Sequence, residues 1–192
     1  ALIKVQSTLR FGAKVILKGI NFDEAVQHAQ GLQKEQGYIF VSAFEDEDII
    51  SGQGTMGLEI FKDAPGLDTV FIPIGGGGLL SGTATALKAL SPKIKIIGVQ
   101  AEGARGMADS FKKGKLQTET KPVSTIADGI AIKKPSKIMY DQFISKLCDD
   151  VITVSDNEIA EAIVFLMERV KVITEGAGAV SLAALFQKKL NF

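Results

Sequence analysis

The chain has 192 residues, with 22 Lys plus Arg balanced by 22 Asp plus Glu for a formal net charge of zero. At about 100–200 residues per domain, this is one full domain or parts of two, long enough to bury a core without staples. A chain 46% hydrophobic and 23% charged is not a disordered one, and its neutral balance argues against nucleic-acid or anionic-membrane partners, which take a basic face.

In chain order, Val15-Ile16-Leu17 is a short strand candidate. Asn21, with Glu24 three residues on, forms a capping-box pattern, and Phe22, Ala25, Val26, Ala29 and Leu32 follow at helical spacing until Gly37. Tyr38 to Val41 reads as a strand and the acidic Glu45 to Asp48 as a loop. A helix is expected near Thr55 to Phe61, then a turn at Pro65-Gly66. Thr69 to Ile72 is a largely apolar run, as a strand buried on both faces should be. Gly75-Gly76-Gly77-Gly78 follows, then a helix from Leu79 to Leu90 that Ser91-Pro92 stops, and a strand from Ile94 to Val99. Together these make a βαβ unit of about 30 residues with a parallel pair.

Downstream, Gly103 to Lys115 holds a short helix, Gln117 to Thr125 is polar loop, and Pro135 to Leu147 is helical. Val151 to Val154 is a strand, and Ser155 with Glu158 forms a second capping box. Ile159, Ala162, Ile163, Leu166 and Val170 lie on one face of the helix that follows. Gly176 to Leu185 is nearly all small or apolar and reads as a buried helix. Alternating strands and helices give an α/β class, a mostly parallel twisted sheet flanked by helices. The uncharged stretch from Thr69 to Leu87 is broken by Pro73 and glycines, so it reads as strand, loop and helix rather than a membrane span. The N-terminal sequence has no signal-peptide pattern, and the cytosol is the expected compartment. The chain lacks an initiator Met and stops straight after a helical pattern, so both ends are expected to be cut or processed.

Cys148 is the only cysteine, which excludes an internal disulfide, and with the lone His28 it leaves no Cys/His zinc set. Cys148 reads as a small buried hydrophobe and His28 as a surface or half-buried residue. The glycine cluster is the chemical signal. It joins a buried strand to a helix start, where open α/β sheets bind ligands. The helix start offers free amides and the positive end of the macrodipole, and glycine lets an anion approach the backbone. A phosphate or carboxylate suits such a site. It is no P-loop, since Leu79 and Leu80 follow Gly78, and it does not satisfy GxGxxG, because Leu80 or Ser81 occupies the third glycine position. A tight strand-to-helix turn without a ligand is the bland alternative.

Ile72-Pro-Ile-Gly-Gly-Gly-Gly-Leu-Leu-Ser-Gly82 resembles the phosphate-cradling loop of fold-type II pyridoxal phosphate (PLP) enzymes, the tryptophan synthase β-like group, within its serine/threonine dehydratase and serine racemase branch. Four more segments match that branch in order: Ile50-Ser-Gly-Gln-Gly-Thr-Met-Gly-Leu-Glu59, Ile97-Gly-Val-Gln-Ala-Glu102, Ile126-Ala-Asp-Gly129 and Thr174-Glu-Gly-Ala-Gly178. The last looks closer to catabolic threonine dehydratases than to racemases. The resemblance implies that the amides of Gly75, Gly76, Gly77, Gly78 and Leu79 hold the PLP phosphate. Gly129 would lie against the pyridine ring, and Glu175 would sit near the ring and substrate as the catalytic candidate in this chain. Glu102 matches a carboxylate that helps bind a metal ion in some members. Racemase-like members place an Asp six residues later, where this chain has Ala108 with Asp109 one step off, so no racemase-type divalent site is expected.

The family's Ser-Phe-Lys-x-Arg-Gly, Ser-x-Gly-Asn-His and Ser-Gly-Gly-Asn motifs do not occur here. The resemblance therefore implies a fragment, inactive alone for want of the Schiff-base lysine. Residues 1–45 would be the remainder of a small domain and 46–192 a large phosphate-binding domain lacking its terminal portions. The implied activity is an ammonia-lyase that converts threonine or serine to a 2-oxo acid and ammonia. The parent would be a homodimer or higher, with no nucleic-acid or membrane partner. A serine racemase-like enzyme and a non-catalytic α/β domain binding a phosphorylated metabolite remain alternatives.

Overall fold

The computed structural model describes residues 2–20, 22–117 and 122–186. The chain divides into two compact units, Ala1–Phe40 and Val41–Phe192.

The first unit contains α1 (Leu2–Arg10) and α2 (Phe22–Gln36). Asp23 and Glu24 complement the positive end of α2, and Glu24 Oε2 also accepts from the Ile20 amide at 3.0 Å. The expected cap Asn21 lies outside the described residues. Gly37 ends the helix with φ 69°, its amide donating to the Gln33 carbonyl at 3.0 Å. The expected strands at Val15-Ile16-Leu17 and Tyr38–Val41 do not form, and Leu17 and Ile39 are exposed. β-branched and aromatic residues favour a strand only when a neighbouring strand takes up the backbone groups, and no described strand pairs with either run.

The second unit opens with α3 (Glu47–Asp63), longer than the helix expected near Thr55 to Phe61 and starting inside the expected Glu45–Asp48 loop. Asp46 is the reason. Its Oδ1 accepts the amides of Asp48 at 3.0 Å and Ile49 at 3.2 Å, and Glu47 and Asp48 then suit the first turn. β1 (Thr69–Pro73), α4 (Gly78–Leu90) and β2 (Lys95–Ala101) follow as expected. α5 is Gly106–Lys113. The stretch expected as one helix from Pro135 is α6 (Lys137–Met139), a π-helical turn (Tyr140–Ile144) and α7 (Ser145–Leu147), with Ser136 as the cap. β3 (Asp150–Val154) leads to α8 (Asp156–Phe165), where Ser155 and Glu158 make the expected reciprocal capping box. A second π-helical turn, Leu166–Val170, extends α8, and α9 is Gly176–Phe186.

The strands pair in the order β1-β2-β3, all parallel, with Val70 opposite Ile96 and Gly98 opposite Val151. Successive residues of β2 point to opposite faces and feed two apolar clusters. Ile96 joins Ile72, Leu80, Leu87, Met107, Met139 and Val151 on one side. Ile97 and Val99 join Val154, Ile159, Ala162, Val180 and Ala183 on the other. α9 is buried along its small residues, but its last turn is not, Leu185 being 45% exposed. Val170 likewise departs from the expected buried face, at 51% exposed, because the π-helical turn shifts it off the helical phase of Ile159 and Ala162. α3 and α4 meet through glycines: a Cβ on Gly82 would lie 2.1 Å from the Ile50 carbonyl oxygen, and one on Gly57 2.7 Å from that of Thr83. Among the described residues, no helix is long and apolar enough to cross a membrane.

Candidate cofactor site

The parallel sheet delivers its connections to one edge. The glycine run follows the C-terminal end of β1, Glu102 follows β2, and Ser155-Asp156 follows β3. Gln100, buried at 2% exposure, braces that edge. Its Nε2 donates to the Ile74 carbonyl at 3.2 Å, and its Oε1 accepts the Ala108 amide at 2.9 Å. One side chain thus fixes both the entry to the glycine run and the start of α5.

Gly77 turns the chain into α4 with φ 108° and ψ −12°, a conformation that a side chain would strain. No side chain caps α4. The amides of Gly78 and Leu79 precede its first internal bond, from the Ser81 amide to the Gly77 carbonyl at 2.9 Å. This leaves a half-buried to buried N-terminus with the positive dipole end, amides not capped by any side chain, and no lysine or arginine from Gly75 to Leu79. The glycines are also sterically required. A Cβ on Gly76 would lie 2.2 Å from Phe44 Cδ1, one on Gly78 2.9 Å from Phe44 Cα, and one on Gly77 3.0 Å from Met139 Cβ.

The second wall is built from Gly129 and Glu175. A Cβ on Gly129 would sit 3.0 Å from Glu175 Oε1 and 3.2 Å from Ala177 Cβ. A Cβ on Gly75 would sit 3.0 Å from Ile130 Cα, so the glycine run backs onto the residue next to Gly129. Gly75, Gly129 and Glu175 are therefore brought into one neighbourhood although they are far apart in sequence. Gly176 lets this wall close, since its Cβ would lie 2.6 Å from the Ile126 carbonyl oxygen and 2.9 Å from Ala127 Cα.

Glu102 is placed elsewhere. It is exposed and lines a cavity of about 120 Å³ with Arg105, Asp109 and Lys133. Asp109 accepts from Arg105 Nε at 2.9 Å, and Ala108 is fully buried. Among the described residues, no group of three or more His, Cys, Asp or Glu is placed to hold a metal ion. A roomier cavity, about 630 Å³, lies against α3 and α4 and is lined by Glu45, Ile50, Leu58, Thr85 and Phe143, but by none of Gly75 to Leu79. Sequence reasoning missed Phe44 and Gln100 as a brace. Gln100 lies inside a matched motif, whereas Phe44 stands in a pattern of no special spacing.

The sequence pattern of the pyridoxal-phosphate dependent enzymes matches residues 2–192. The chain belongs to that family. It is 46% identical over 188 residues to an L-threonine ammonia-lyase of Thermotoga maritima, covering 97% of this chain and 46% of that protein. It is 48% identical over 188 residues to a catabolic L-threonine dehydratase of Staphylococcus aureus, covering 98% of this chain and 54% of that protein. The processed form of threonine deaminase isoform 2 from Solanum lycopersicum superposes with a TM-score of 0.89 at 35% identity, over 100% of this chain and 57% of that one. Maize serine racemase superposes with a TM-score of 0.87 at 35% identity, over 94% and 56% respectively. The chain thus spans about half the length of the relatives it matches. Its fold is that of the fold-type II PLP enzymes, α/β with a parallel sheet flanked by helices. A phosphate suits the uncapped start of α4, and a side chain on Gly129 would crowd Glu175 and Ala177.

Away from the site, at the N-terminal edge of the sheet, Asp149 Oδ2 accepts from Lys88 Nζ at 2.9 Å and from the Ile96 amide at 2.8 Å. Burial pushes this carboxyl upward, but the Ile96 amide, the Lys88 bond and charge, and Lys95 outweigh it and hold it below the usual carboxylate range. Burial pushes the neighbouring Cys148 thiol up to about 12, with the Asp149 charge adding to it.

Proposed function

We propose that this chain is the phosphate-holding part of a PLP-dependent threonine ammonia-lyase. The observation that carries the reading is the uncapped, glycine-built start of α4, packed through Gly75 onto the Gly129–Glu175 wall. The names of the relatives at 46% and 48% identity direct it to threonine. Residues 1–45 and 46–192 are proposed as parts of a small and a large domain.

When bound, the cofactor supplies an electron sink for the substrate's α-carbon. The amides of Gly75, Gly76, Gly77, Gly78 and Leu79 hold its phosphate by dipoles rather than full charges. Gly129 would face the ring, having no side chain of its own to block it. Glu175, whose Oε1 borders that position, orients the ring and the substrate's amino end. The lysine motif of the family is absent from these 192 residues, so the proton transfer at the α-carbon is assigned to no residue here. A cytosolic enzyme acting as a homodimer or higher is part of the same proposal.

The test is product analysis with the full-length protein. Release of ammonia and 2-oxobutanoate from L-threonine is expected, with L-serine second, whereas the 192 residues alone release none. D-serine without ammonia would replace the reading by a racemase. Phosphate-ester binding with neither product would replace it by a non-catalytic domain.

A further inference from the structure

We propose that Asp156 is a positioning residue that sets where Gly129 stands against the cofactor ring; this rests on the cofactor site proposed above. Asp156 is the first residue of α8, just past the end of β3. It is not the helix cap, because Ser155 and Glu158 already fill that role reciprocally. Its carboxylate reaches sideways instead. Oδ1 accepts from Thr125 Oγ1 at 2.6 Å, and Oδ2 accepts from the Ile126 amide at 3.2 Å. Thr125 Oγ1 in turn accepts from the Ala127 amide at 3.1 Å. Three consecutive residues, Thr125, Ile126 and Ala127, are thereby tied to one carboxylate thirty residues away.

The tie continues to the site. Ala127 is fully buried, and its carbonyl accepts the Ile130 amide at 3.1 Å, so the short turn Asp128–Ile130 that carries Gly129 hangs from it. On the other side the same segment rests on Gly176, which is why a Cβ there would meet Ile126 and Ala127. The Gly129 turn is therefore held between a carboxylate that pulls on one side and a helix start that stops it on the other. Glu175, one residue before that stop, faces Gly129 as a result. The carboxylate's two bonds tie Thr125 and Ile126 to the start of α8. Asp156 touches neither Gly129 nor Glu175 in any described contact; it acts through the backbone it holds.

The experiment uses the full-length protein with bound PLP and the variants Asp156→Ala, Asp156→Asn and Thr125→Val. Asparagine keeps one acceptor but loses the charge, so it separates positioning from a favourable charge at a helix start. We expect kcat to fall about tenfold in D156A with little change in KM, a misplacement effect. D156N should fall less than about threefold, and T125V should lie between them. The visible circular dichroism of the bound cofactor should change in D156A, because the ring's neighbour has moved. The phosphorus resonance should not, because the glycine run is braced separately by Gln100. Equal losses in D156A and D156N, or an unchanged dichroic band in both D156A and T125V, would overturn the proposal. If D156A does not fold, T125V alone decides, by the same band. If the unaltered protein shows no cofactor band, the proposed function itself fails and this inference falls with it.

Discussion

The two walls of the site are held by different physics. The glycine run is fixed by contact: Phe44, Met139 and Ile130 stand where side chains would go, and the amides are left free. The segment that carries Gly129 is held in addition by hydrogen bonds, from Thr125 and Ile126 to Asp156 and from the Ser124 amide to the Gly103 carbonyl, beside close contacts at Gly103 and Gly176. A wall made by contact fails when volume is added. A wall made by hydrogen bonds fails when an acceptor is taken away. The difference matters because an anion site needs its amides unspent, so packing must do the holding there. On the proposed reading, the Gly129 loop faces a ring and makes no such demand on its backbone.

The sharpest way to break this contrast is Gly76→Ala, which puts a methyl 2.2 Å from Phe44 Cδ1. A cost of about 3 kcal/mol in unfolding free energy is expected, and Phe44→Ala in the same chain should recover most of it. No recovery in the double variant would mean that the run is not held by contact. Gln100→Leu comes next. It strands the buried Ala108 amide and removes a donor from the Ile74 carbonyl, for about 2 kcal/mol in chemical denaturation. It should also shift the bound phosphate's resonance, which a generic loss of stability would leave in place.

Asp149→Asn is the control, at the opposite edge of the sheet. Its effect at neutral pH should be under about 1 kcal/mol, since the Asp149 side chain is 42% exposed and water screens the pair. The folded carboxyl titrates below its ordinary value, so its contribution is complete above about pH 4 and is lost as pH falls through the folded value. The D149N deficit should therefore vanish in acid, and a deficit that persists there would show that the contact is not electrostatic. Smallest of all is the effect at Cys148, whose thiol titrates at about 12. Native protein should alkylate at pH 8 far more slowly than unfolded protein, and equal rates would contradict the burial.

Much of the second unit was legible because its signals are local. The apolar run of β1, the glycines and the Ala-rich α4 follow one another in sequence, and Ser155 with Glu158 announces α8 by itself. Reading failed where the outcome depends on a distant partner. Val15–Leu17 and Tyr38–Val41 have strand composition, but no described strand pairs with them. Asp46 is the exception, since its partners, the amides of Asp48 and Ile49, are local, but it stands in an acidic run that reads as solvated loop. The matched motifs marked Gly75, Gly129 and Glu175, and the structure shows how Ile130 joins their neighbourhoods. Asp156 carried no mark, because nothing in the sequence tells that Thr125 and Ile126, about thirty residues away, reach its carboxylate.

The β1–α4–β2 order has a consequence for how the chain acquires its site. These three elements are consecutive, and β1 pairs with β2 directly, so closing them costs a short loop, whereas β3 must arrive across a much longer one. Our hypothesis is that the anion-binding turn is laid down early in folding and the ring-facing wall late. Pulse-labelled refolding should show amide protection in β1 and β2 rising together, ahead of β3, and protection of β3 first would sink the idea. On this view a chain still short of its native state already carries a place for a phosphate.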